Sequence, residues 1–114
     1  MIHYYFTAQE VNALMNAIDK MDDHVAEIYR NMVVMKEHLT QLTMGSYTPI
    51  DQTMMTDFIE DLDSYNKSSR CQDATIAAYI GDMLAKWAIA LSGGISIPDD
   101  VAGADIIAFD VVDL

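Results

Sequence analysis

The chain has 114 residues, 52% of them hydrophobic. That is enough apolar material for the core of one domain, and it excludes a disordered chain. Acidic residues number 18 against 6 basic ones, a formal net charge of −12, so the surface repels nucleic acid and anionic membranes and favours basic partners.

One cysteine, Cys71, cannot close an intramolecular disulfide, and nothing points to an oxidising compartment. The opening MIHYYFTAQE lacks the basic start and long apolar run of a signal peptide. No apolar run is expected to reach the roughly 18 residues of a membrane span. A cytoplasmic protein without a cofactor or membrane partner is the expectation.

Residues 2–6, IHYYF, are β-branched or aromatic apart from His3 and predict a short strand. Thr7 and Glu10 then stand three apart as a capping box, which opens a helix. From there to Met44 there is no Gly or Pro. Val11, Leu14, Ile18, Met21, Val25, Ile28, Met32, Met35, Leu39 and Leu42 alternate in steps of three and four. That heptad seam predicts one helix over 8–44, about 55 Å long at the α-helical rise. Val33, Val34, Met15 and Tyr29 lie off the seam, so a second face in its middle is expected to be covered. The seam can pack within the chain or form a homodimer.

Gly45 is placed to end this helix, and Thr48-Pro49 to start the next, predicted over 49–65. Ile50, Met54, Phe58, Leu62 and Tyr65 share one face, and Asp57, Glu60 and Asp61 lie opposite. Residues 45–66 hold five acids and no base. Ser69 to Gln72 can form another capping box, giving a third helix over 70–91. Ile76, Ile80, Met83, Trp87 and Leu91 make one apolar ridge; Ala74, Ala78, Gly81, Ala85 and Ala88 make a second of small residues. Two ridges suggest the central helix, with Gly81 serving close contact between helices. Beyond Gly94 the period changes: Ile95-Ser96-Ile97 alternates, Pro98-Asp99-Asp100 turns, and DIIAFDVVDL reads as a strand that can pair with IHYYF. The fold class is therefore mainly α: a single-domain three-helix bundle on one long N-terminal helix, with short strands at the termini and a β-like acidic tail over 95–114.

Catalytic and metal signatures are weak. Asp61-Leu62-Asp63 begins like a calcium loop, but Tyr65, Asn66 and Gln72 occupy positions that need Asp or Asn, Gly and Glu. His24 and Glu27 share a helix face without the paired motifs of a di-metal site, so His24 reads as a solvated flank. Cys71, in the first turn of the expected third helix, could have its thiol acidified there, but no signature pairs it with His24 or His38. A small, partly buried Cys is the plainer reading. Gly93-Gly94 has neither the preceding strand nor the following Lys of a phosphate loop. The nine Met residues read as core filler, with an adaptable groove as the alternative.

No catalysis is expected. The leading expectation is an acidic protein-binding protein, an inhibitor of phage or mobile-element type. It would imitate nucleic acid and block the basic surface of a nuclease or other nucleic-acid-binding protein, without itself binding nucleic acid. Asp51, Asp57, Glu60, Asp61 and Asp63 are the first candidates for that contact, and Asp22 and Asp23 the second. The alternative is a homo-oligomeric assembly protein or chaperone that uses the seam over 8–44 and the apolar–acidic tail.

Overall fold

In the computed structural model the described residues are 1–46, 48–93, 95 and 105–113. Strand β1 (Ile2–Thr7) leads into α1 (Ala8–Asp19), α2 (Asp23–Ile28) and α3 (Arg30–Thr43). Next come β2 (Ile50–Asp51), α4 (Gln52–Lys67), α5 (Ala74–Gly93) and β3 (Ile106–Val112). The described chain is mainly helical, but it is built differently from three helices in a bundle. A three-stranded sheet of order β1-β3-β2 joins the ends of the chain to its middle.

β1 and β3 are antiparallel, with Tyr4 opposite Phe109 and Ile2 opposite Val111. The expected pairing of the two terminal segments is present. β2 runs parallel to β3, with Ile50 opposite Val111. Aromatic rings tie this sheet to the helices. Phe6 stacks on Phe109 at 5.4 Å, and Tyr4 meets Trp87 of α5 edge-on at 5.8 Å. Such contacts add about 0.5–1.5 kcal/mol each beyond the area they bury. The Tyr4 hydroxyl, inside this cluster, donates to the Met83 carbonyl at 2.9 Å.

The single helix expected over 8–44 is three helices. Most of its seam nonetheless turns inward: Val11, Leu14, Ile18, Met32, Met35, Leu39 and Leu42 are buried in one core and Met21 and Val25 pack partly against it, but Ile28 is exposed. The breaks come from capping chemistry, without any Gly or Pro. Asp22 accepts from the Val25 amide at 2.9 Å and so starts α2 anew. Asp competes for backbone donors in this way, which makes it a poor interior residue and a good cap. Tyr29 separates α2 from α3 with φ −107° and ψ 47°. Its side chain is buried against Tyr65 of α4, ring centroids 5.4 Å apart. The chain gives up helical continuity there to bury an aromatic ring. Asp19 and Lys36 form an ion pair between α1 and α3. Of the off-seam residues, Tyr29 is buried and Met15 packs partly against the core, whereas Val33 and Val34 stay exposed, so the expected second covered face is present only in part.

The next helix begins later than Thr48-Pro49. Ile50 is 1% exposed and pairs in the sheet, which suits its β-branched side chain, and Asp51 takes the N-cap position of α4. The helix expected from residue 70 starts at Ala74, because Asp73 accepts from the Thr75 and Ile76 amides. α5 buries Ile76, Ile80, Met83, Trp87 and Ala90, but Leu91 is exposed and so is most of the small-residue ridge. It is therefore an outer helix and not the central one. A Cβ on Gly81 would meet nothing within 4 Å, so no close helix contact inside the chain requires glycine there. By length and mean hydropathy α5 would also suffice to cross a membrane, contrary to the expectation that no segment would. The alternation at Ile95-Ser96-Ile97 and the turn at Pro98-Asp99-Asp100 lie outside the described residues.

Candidate protein-binding surface

The acidic residues singled out in the sequence divide by what their carboxylates do. Asp22 is spent on capping α2. Asp61 accepts from the Asn31 amide at 2.9 Å, capping the start of α3 from a neighbouring helix, where the Tyr29 side chain offers no cap. Asp63 pairs with Lys67 one turn on, at 2.9 Å. Asp51 sits at the N-cap of α4, and Asp23 is exposed in the first turn of α2, where a negative charge suits the helix dipole. Asp57 and Glu60 differ from these. They lie on the outer side of α4, with Phe58, Leu62 and Tyr65 buried beneath, and neither meets a cation among the described residues.

Asp57 also has a neighbour that its sequence position does not announce. It lines a notch of about 260 Å³ together with Gln52, Thr53, Thr56 and Asp113. The chain brings Asp113 there because β3 lies beside β2, and β2 runs directly into α4. Two carboxylates from distant parts of the chain, with two hydroxyls and an amide between them, offer acceptors in several directions. A Lys ammonium or an Arg guanidinium is the group that such a set of acceptors suits.

A second polar feature lies between β1, α1 and α5. Glu10 fulfils its capping-box role, accepting from the Thr7 amide at 2.8 Å. It is only 3% exposed, and its Oε1 also accepts from Lys86 Nζ at 2.5 Å. Lys86 donates to the Tyr5 carbonyl at 2.8 Å and lies 4.1 Å from the Tyr5 ring centroid. Burial lowers the Lys86 pKa, partly countered by the hydrogen bond to Glu10 and its charge. Glu10 Oε2 is buried and meets no hydrogen-bond partner among the described residues. These side chains border an open groove of about 540 Å³, with Thr7, Gln9, Tyr79, Asp82, Ala85 and Ile89 as its other walls. The spacing of Thr7 and Glu10 announced the cap, but nothing local pairs Glu10 with a lysine 76 residues away.

The remaining candidates are plain. His24 is exposed. Among the described residues no cluster of three or more His, Cys, Asp or Glu side chains is placed to hold a metal ion. Cys71 precedes α5 rather than lying in its first turn, and burial, with the nearby Asp73 charge, pushes its thiol pKa up. That is opposite to the activation its expected position would give. Met32, Met35, Met55 and Met83 are fully buried, so core filling accounts for them. No family model, no curated protein and no solved structure matches the chain.

Proposed function

We propose that the chain is a non-enzymatic binding protein whose acidic α4 face engages a basic, nucleic-acid-binding partner and blocks that partner's surface. The observation that carries this reading is the notch at one end of α4, where Asp57 and Asp113 converge beside hydroxyl and amide acceptors. Asp57 and Glu60 extend the charge along the same helix without a base to neutralise it. Asp61 and Asp63 contribute field, although their carboxylates are already held by the fold. With a net charge of −12 the approach of a basic protein is steered and fast, and binding weakens as salt rises.

The test is a pull-down from native host lysate at low and high salt. A nucleic-acid-binding protein should be recovered at low salt by the wild type and lost with Asp57→Asn/Glu60→Gln. Recovery that is indifferent both to salt and to this double substitution would refute the reading.

A further inference from the structure

The seam over 8–44 falls short of full burial at three positions, Met21, Val25 and Ile28. Two of the three, Met21 and Val25, line a pocket of about 410 Å³. It sits where the chain breaks twice, between α1 and α2 and between α4 and α5. Ala17 and Ile76 complete its apolar wall. An apolar wall with a few charged groups, in a space of roughly 300–1,000 Å³, is the usual form of a small-molecule site.

The charges around it are unlike the rest of the surface. The chain has 18 acidic residues against 6 basic ones. Yet Lys20, at the end of α1, and Arg70, from the connection between α4 and α5, both line this pocket. Neither pairs with a carboxylate among the described residues, whereas Lys36, Lys67 and Lys86 all do. Asp22 and Asp73 border the same pocket. Each uses only Oδ1 in capping, Asp22 for the Val25 amide and Asp73 for those of Thr75 and Ile76. The Oδ2 of each accepts no hydrogen bond among the described residues.

Tyr65 is an independent sign that a ligand belongs here. It lines the pocket and is only 8% exposed, and its hydroxyl has no hydrogen-bond partner among the described residues. A buried tyrosine hydroxyl ordinarily finds one. The oxygen is not sealed in, because among the described residues only Glu10 Oε2 is both fully buried and unpartnered. Burial raises the Tyr65 pKa, and so do Cys71, Tyr29 and Asp73 close by. The hydroxyl therefore lies toward the side that Asp73 borders, and it stays a donor.

Charge selects the ligand. A phosphate or other dianion suits Lys20 and Arg70 but is repelled by Asp22 and Asp73. A purely apolar molecule leaves four charges and a hydroxyl unanswered. A zwitterion satisfies both signs at once. We infer that this pocket binds an α-amino acid with an apolar side chain. Lys20, Arg70 and the Tyr65 hydroxyl hold its carboxylate, Asp22 and Asp73 hold its ammonium, and the apolar wall takes its side chain. None of these residues belongs to the notch of Asp57 and Asp113, so this reading and the basic-partner reading can fail separately.

The test is an NMR titration of the full chain, labelled with nitrogen-15, with L-leucine, L-methionine and L-phenylalanine in turn. Saturable shifts are expected for at least one of them, centred on the amides of Ala17, Lys20 and Arg70. Lys20→Gln and Arg70→Gln, both at exposed positions, should each weaken that amino acid at least about tenfold with an unchanged circular dichroism spectrum. Tyr65→Phe keeps the ring and should weaken it about threefold or more. The same molecule without its ammonium, or without its carboxylate, should bind at least about tenfold more weakly. The absence of a saturable shift for all three up to about 10 mM would overturn the inference. So would binding that Lys20→Gln and Arg70→Gln both leave unchanged. A deaminated acid that binds as tightly as the amino acid would also overturn it and make the pocket a simple carboxylate site.

Discussion

α4 and α5 pack against each other, and each buries one apolar face, but their outer faces have opposite character. α4 turns out Asp57 and Glu60, and α5 turns out alanines, Ile89 and a glycine. The buried faces are chemically alike and tell only how the chain folds. What a helix meets outside is written in the residues its own core does not need. A charged face binds through a field that salt screens, whereas a neutral, small-residue face binds through close packing that salt leaves intact.

The largest expected effect separates the charges of α5 from those of α4. Lys86 is buried and paired with Glu10. Lys86→Ala strands the Glu10 carboxylate in the core and should cost about 3–5 kcal/mol in urea unfolding. A loss below about 1 kcal/mol would mean that water reaches Glu10 freely. Tyr4, which joins the sheet to α5, should give the next effect. Burial holds its hydroxyl protonated far above the ordinary phenol value of 10.0. The unfolded chain gives up that proton first, so the stability present below pH 10.0 should fall as pH rises beyond it. Tyr4→Phe should flatten that decline, measured as melting temperature against pH.

On α4, Asp61→Ala removes the cap on α3 and should cost about 1 kcal/mol, which marks Asp61 as a residue of the fold as well as of the surface. Gly81→Ala on α5 should do the reverse in dilute solution, raising the stability of the single chain by up to about 1 kcal/mol. The smallest stability change belongs to Asp57→Asn/Glu60→Gln. Removing two neighbouring like charges should stabilise the fold by a few tenths of a kcal/mol at most, while partner binding falls.

The inward faces of the helices were legible in the sequence, and the path of the chain was less so. Leu14, Met35 and Leu39 stand on the seam and are buried, as their period required. The same period ran unbroken through Asp22 and Tyr29, where the chain turns, because α1 and α3 present their seams to one core. A heptad pattern records which face is buried and carries no mark of a change in direction. Asp22 was the one local clue, since an Asp between apolar positions caps more readily than it continues. Ile50 misled for the related reason that a β-branched residue after Pro49 fits a helix start or a strand, and its partner Val111 lies far along the chain. The candidate surface was half legible. Asp57 and Glu60 followed from helical period alone, whereas Asp113 reaches the notch only through the sheet. The Glu10–Lys86 pair joins the two ends of the fold in the same non-local way.

The most direct measurement is the affinity of the recovered partner against salt concentration, for the wild type and for two charge-matched variants. Asp57→Asn/Glu60→Gln removes two charges from α4, and Glu27→Gln/Glu37→Gln removes two from exposed positions on α2 and α3. The wild-type affinity should fall steadily with salt. The α4 variant should bind more weakly and with a shallower salt dependence, while the control stays close to wild type. Equal losses in both variants would reduce the acidity to a diffuse field and contradict a binding face on α4.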